Sequence, residues 1–322
     1  MKKQQLVIFV LALLYTSAKL SAQNNSLSQI FYPNVTLSTE TIPSTSYGST
    51  HRFGMTRSSI LGFIPLSTDI NVGIGIGKKW DIQAKHSFLV ANLAQINPTV
   101  DSKESPTGGY KSATVGVFQL KASLRDKFWL YGGGLGLTES NETFFSPQPF
   151  LWGGAARMRI FGLNSQILYG TAIVYNQKFR IIPIFGFNKK LGPDWHISGL
   201  LPFQANVTRK VNEWFNVSGN AVLGGYSAGF QEIANNEKLP RKENYQHVKF
   251  TVAANAHLLK VFNVSLEGGL VGFRQIKHFN ASGDNISTEY PATAPYFGAS
   301  IRYITSKSKL SSKFLQKVGI GF

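Results

Sequence analysis

From Val248 to Leu258 the chain alternates without a break. Val248, Phe250, Val252, Ala254, Ala256 and Leu258 share one side, and Lys249, Thr251, Ala253, Asn255 and His257 share the other. A period of two sends successive side chains to opposite faces of a β-strand, so this segment predicts a strand with one apolar and one wet face. The pattern recurs at Ile70/Val72/Ile74/Ile76 against Asn71/Gly73/Gly75/Gly77, and at Phe118/Leu120/Ala122/Leu124 against Gln119/Lys121/Ser123/Arg125. It returns at Phe203/Ala205/Val207 and at Phe297/Ala299/Ile301/Tyr303. Beyond the N-terminal segment no stretch reads better as an amphipathic helix.

A second regularity punctuates the strands. Short polar turns are each followed by an aromatic residue: Trp80, Phe128, Trp195, Phe215 and Phe262. A ring at the first position of each returning strand suits an interfacial girdle, because its apolar body and polar tip match the headgroup layer. The intervening connections, 97–111, 139–148, 232–244 and 280–291, are longer and more polar. Short turns at one end and long loops at the other is the asymmetry of outer-membrane barrels.

The expected fold is therefore all-β, a transmembrane antiparallel up-and-down β-barrel over residues 51–305. Strands are expected near 51–64, 68–78, 80–97, 112–124, 127–138, 149–161, 165–176, 179–188, 193–200, 203–210, 213–231, 245–260, 262–277 and 292–305. That count of fourteen is even, as in bacterial barrels, with twelve the next candidate. Residues 23–50 are an extra strand, a periplasmic extension or a plug. Residues 306–322 are a tail or the closing strand; Val318 to Phe322 resembles the terminal-strand insertion signal of such barrels.

The N-terminus places this barrel. Met1-Lys2-Lys3, the apolar run Leu6–Tyr15 and the small, polar Thr16–Gln23 form a signal peptide, residues 1–22. Its apolar run falls short of the roughly twenty residues that span a bilayer as a helix. Export to the outer membrane of a Gram-negative bacterium is the expected destination. Charged residues are 15% of the chain, below the roughly 25% of soluble domains. Cysteine is absent, so an exported chain of this size is stable without disulfides.

The net charge of +17 speaks to partners. For an exported chain these are lipopolysaccharide phosphates, outer-membrane lipid and small anionic solutes, with the barrel-assembly machinery during insertion. Nucleic acid is excluded by the export route.

The segments Arg180–Phe187 (RIIPIFGF), Asp194–Pro202 (DWHISGLLP) and Asn212–Gly219 (NEWFNVSG) resemble a family of predicted bacterial outer-membrane β-barrels of unknown function. The resemblance covers residues 50–305. It implies location and fold and brings no site residues.

If the apolar faces meet lipid, the lumen carries Lys85, Lys121, Arg157, Arg159, Lys249 and Arg302. Rings of cations lower the cost of bringing an anion out of bulk water, so the expected function is a porin-like passive channel with a weakly anion-preferring lumen. The alternatives are a non-conducting structural or surface-binding barrel, and an outer-membrane lipid hydrolase or protease. The six histidines, His51, His86, His196, His247, His257 and His278, form no HExxH motif or other metal spacing, so no metal or cofactor is expected. His278 near Ser282, Asp284 and Glu289 is the crowd closest to a triad. A solvated loop explains it better, and no catalytic residue or enzymatic activity is expected.

Overall fold

The computed structural model describes residues 33–304, apart from 48–50, 76–78, 101–108, 124–126, 141–146, 162–164, 177, 235–236 and 259–260. Side chains at 47, 70–82, 100, 123, 127, 160, 178 and 231–238 are also outside the description. The signal peptide, the C-terminal segment and the Trp80 side chain therefore lie beyond it.

The described chain is all strand: β1 (Asn34–Tyr47), β2 (His51–Gly75), β3 (Lys79–Val100), β4 (Tyr110–Ser123), β5 (Lys127–Ser140), β6 (Gln148–Ile160), β7 (Ser165–Asn176), β8 (Lys178–Leu191), β9 (Trp195–Leu201), β10 (Gln204–Lys210), β11 (Phe215–Ala234), β12 (Glu237–Leu258), β13 (Phe262–Phe279), β14 (Asn285–Glu289) and β15 (Ala294–Ile304). Each pairs antiparallel with the next up to β13, which pairs with β15, and β15 closes on β1 from Asn34↔Ile304 to Thr41↔Phe297. The ring has 14 strands, and β14 is a short strand added to the far end of β13. Closure leaves the main ring no free edge, the condition for crossing lipid with strands.

The partition of strands differs from expectation. Residues 51–75 form one strand, not two; Pro65, between the two expected strands, sits at a bulge, where the register to β3 shifts between Pro65 and Ser67. A bulge absorbs a proline that a regular ladder would reject. Residues 34–47 supply the first strand. Residues 232–244, expected as a loop, continue the β11–β12 ladder to Ala234↔Glu237.

Contacts between strands that are not neighbours identify the inner face. Lys249 on β12 reaches Glu40 on β1 at 3.0 Å, and Arg274 on β13 reaches the Phe53 carbonyl on β2 at 3.0 Å. These side chains cross the interior, and the register assigns every other face from them. Leu37, Leu93, Leu135, Ile181, Val252 and Leu266 then point outward and are exposed, Ile181 by 73%. So wide an apolar exterior on a closed ring is a lipid-facing surface.

One pairing departs from the up-and-down order. Beyond Leu223, β11 outruns β10 and bridges β5 in parallel at Gly229↔Glu139. The ring of fourteen thereby contracts to nine strands, β1–β5, β11–β13 and β15, while β6–β10 stop below. Pro202-Phe203 joins β9 to β10 in a two-residue turn atop that low arc.

Candidate functional site

The nine-stranded ring is filled. Ile42, Phe53, Met55, Ile96, Tyr110, Tyr226, Ala228, Phe230, Tyr245, Val271, Ile276, Ala294 and Tyr296 form one buried cluster, with contributions from eight of the nine strands. β5 adds the buried Thr138 and Ser140. Tyr245 lies 4.7 Å from Phe53 and 5.6 Å from Tyr226, and Tyr110 lies 5.3 Å from Tyr226, all measured between ring centroids. These tilted arrangements suit the ring quadrupoles. A core of this kind shuts one end of the lumen.

Arg274 ties that cap together. It is 3% exposed, donates from Nε to the Tyr245 hydroxyl at 3.0 Å, and donates to the carbonyls of Ala292 (2.7 Å) and Phe53 (3.0 Å) and to Thr45 Oγ1. Its guanidinium also lies over the rings of Phe53 and Tyr245. A planar fork of donors can serve four acceptors at once, which lysine cannot. Lys242 at the crossing donates to Asn176 Oδ1 at the end of β7 and so fastens the hairpin to the low arc.

Glu243 sits under the same hairpin, 1% exposed, accepting from the Tyr226 hydroxyl and facing His278 Nε2 at 3.1 Å. His278 Nδ1 lies 3.0 Å from Ser287 Oγ. His278 is thus joined to Ser287 and Glu243. Asp284 instead bonds with Asn280, and Ser282 is an exposed turn residue. Spacing along the chain pointed to the right histidine; the partners follow from cross-strand register, His278↔Ser287 and Glu243↔His278, which spacing does not show.

Below the cap, Glu40 is held by Lys249 (3.0 Å), Arg57 (3.8 Å) and the Tyr296 hydroxyl (3.0 Å). With Ser38, Ser59, Gly224 and His247, the side chains of Glu40, Arg57 and Lys249 border a cavity of about 220 Å³ between β1–β2 and β11–β12.

Of the six cations expected in the lumen, Lys249 and Arg302 face it. Lys249 is paired with Glu40, and Arg302 donates to Thr36 Oγ1 at 3.0 Å. Lys85, Lys121, Arg157 and Arg159 face outward, in register with Leu89, Val117, Leu135 and Ile173 on the same sides of their strands. There they join aromatics: Arg157 lies 5.7 Å from the Trp129 ring and Arg159 5.7 Å from the Tyr169 ring, close to the turn end. A basic stem beside a ring belongs at a headgroup layer.

Among the residues expected to form a girdle, Trp195, Phe215 and Phe262 face outward, Trp195 under Arg209 and Phe262 5.2 Å from Tyr303. Phe128 pairs with Met158 on the inner face, and its neighbour Trp129 takes the outward position.

The lumen is two-sided. From β9 round to β1 it carries amides and hydroxyls joined to one another: Thr208 to Asn206, and Asn255 to Asn216 and Ser218. From β2 to β8 it carries apolar side chains, among them Phe88, Leu120, Met158 and Ile184. A closed ring with a lipid-facing exterior and a lumen of its own leaves one architecture. The chain is a membrane-spanning β-barrel of the outer-membrane type.

Solved structures similar to this barrel include an outer-membrane channel from Pseudomonas putida F1, at 7% identity, covering 85% of this chain and 96% of that one, with a TM-score of 0.41. The β-domain of the Bordetella autotransporter BrkA matches at 9% identity, 84% and 98% coverage and a TM-score of 0.25. The outer-membrane-expressed OmpT of Vibrio cholerae matches at 11% identity, 85% and 97% coverage and a TM-score of 0.25. No protein-family profile matches the chain, and no curated protein matches it. The family resemblance carried by Arg180–Phe187, Asp194–Pro202 and Asn212–Gly219 thus gains no profile support. At these identities nothing beyond the barrel is carried across.

Proposed function

We propose that the protein is an outer-membrane solute channel held shut by its own β11–β12 hairpin. The observation that carries this is the β11–β5 crossing, which contracts the ring over a filled core and leaves a wider, two-sided lumen beneath. The end away from the termini carries the longer connections, so it faces the outside. Weak anion preference is not part of this proposal: Lys249 and Arg57 share Glu40, and Arg302 is engaged with Thr36. The outward cations instead suit lipid phosphates at the turn end.

Gly229 and Glu139 are bridge partners at a spacing that a disulfide spans, and the chain has no cysteine of its own. The double variant Gly229→Cys, Glu139→Cys, reconstituted in planar bilayers, is expected to show transient openings when reduced and none when oxidised. Equal conductance in both states would refute a hairpin shutter.

A hydrolase is the second reading, favoured by the chain Ser287–His278–Glu243. A carboxylate that accepts from one ring nitrogen leaves the other free to accept the serine proton, the relation a nucleophilic serine requires. The imidazole nitrogens are reversed from the common arrangement, and Tyr226 occupies Glu243 as well. This reading requires that a fluorophosphonate label the folded protein and that Ser287→Ala abolish labelling. An unlabelled wild type leaves the three residues as a tie between β14 and the cap.

A further inference from the structure

We infer that the lumen wall of β2–β6 is a binding surface for uncharged solutes with a planar aromatic ring. This deepens the channel reading and rests on it for the solute's route to the wall. Phe63, Phe88 and Phe118 face inward on the successive strands β2, β3 and β4, and Trp152, also inward, reaches Phe118 from β6 across β5. Their centroids are 6.5, 5.3 and 5.1 Å apart in that order, and Phe88 and Phe118 are within 9° of parallel.

Glycine sets the posture of these rings. A Cβ on Gly116 or Gly134 would collide with the six-membered ring of Trp152, and one on Gly132 would collide with Phe118. The indole therefore lies flat across two strands on bare backbone, one reason for glycine in a strand interior. A ring laid along the wall turns its π-face to the lumen and keeps the bore wide, whereas an upright ring would fill it.

This wall differs from the cap core. Tyr110 and Tyr245 are wholly buried by partners across the ring, but Phe63, Phe118 and Trp152 remain partly exposed although they face inward, with the buried Phe88 packed between Phe63 and Phe118. Opposite them the wall carries Asn206, Thr208, Ser218, Thr251 and Asn255, uncharged groups largely buried among one another, with the partly exposed Asn220 amide joining Asn206 to Thr251. Water alone makes poor use of an exposed aromatic panel. A small molecule with a flat ring on one side and a hydroxyl or carbonyl on the other fits both walls, stacking on the panel and bonding to the amides.

The test uses the full-length barrel in detergent and 4-nitrobenzyl alcohol, a neutral ring that quenches tryptophan on contact. The expected result is a saturable quenching component above the linear one from micelle partition. Trp152→Phe should remove that component, and Phe118→Leu should weaken the apparent affinity at least fivefold, both proteins retaining heat-modifiable migration. Benzyl alcohol should displace the probe at least fivefold better than cyclohexylmethanol, which has the same polar group without planarity.

Purely linear quenching, or saturation unchanged by both substitutions, overturns the inference. So does equal displacement by the two competitors. Binding that appears only when residues 24–32 are deleted would make this chain's own N-terminal segment the occupant and would also overturn it. The shut channel is judged separately: an oxidised Gly229→Cys, Glu139→Cys barrel that conducts, yet shows Trp152-dependent saturation, removes the shutter and leaves the binding wall.

Discussion

Replacing Ser227–Asn244 with an Asn-Gly turn is expected to convert a barrel that opens only briefly into one that conducts steadily, with mean current at least tenfold higher. Tyr226 and Tyr245 are register partners, so the cut leaves a flush two-residue hairpin of the type that Asn-Gly favours. It removes Ala228 and Phe230 from the buried cluster, the Gly229 bridge to β5 and the Lys242 tie to Asn176. The fourteen-stranded part keeps every ladder below the cut. Single-channel recording in planar bilayers measures the change. An unchanged, silent barrel would show that the lumen is occluded elsewhere, and the non-conducting reading would replace the channel.

Arg274→Ala is the point substitution with the largest expected effect on the cap. It removes the donor to the Phe53 carbonyl and to the Tyr245 hydroxyl in a buried setting, and leaves the Ala292 carbonyl only its bond from Thr45 Oγ1. Stranding acceptors in this way costs about 3 kcal/mol, which raises the population of the open cap roughly a hundredfold. Hydrogen exchange of amides around Phe53 and Tyr245 should accelerate accordingly, while those around Val252 and Leu266 stay protected. Arg274→Lys should recover less than half of the loss, because one ammonium cannot reproduce the planar fork. Uniform acceleration across both regions would mean that Arg274 stabilises the whole barrel and not the cap in particular.

Alternation revealed the strands, because period two is written directly into residues such as Val248–Leu258. It cannot say which face is inside. At 118–121 the assignment inverts: Phe118 and Leu120 line the lumen, and Gln119 and Lys121 face out. Near the turn end the exterior meets headgroups, so polar residues are at home outside, and the aromatic wall makes the inside apolar. The same ambiguity of one residue separates Phe128 from Trp129. Register to Arg157 decides it, and register is a long-range fact.

The cap was hidden for a different reason. Residues 232–244 are polar and look like a loop, but strands that rise above lipid need no apolar exterior. Tyr226, Phe230 and Tyr245 are scattered along the chain among residues of that kind. Only the crossing to β5 makes them a core. Gly116 on β4 and Gly134 on β5 make room for Trp152, which lies on β6, so spacing along the chain does not show the contact.

In the proposed channel, the low arc of β6–β10 would also determine how the mouth moves. Among the described residues β5 meets β11 only at Gly229↔Glu139, a single bridge where β11–β12 and β4–β5 make long ladders. Opening therefore need not dilate the rim evenly like an iris. In the proposed channel the hairpin would swing as a shutter hinged on β12–β13 and clear one side alone, above the strands that carry Asn176 and Arg180, while the remainder of the wall would keep its hydrogen bonds.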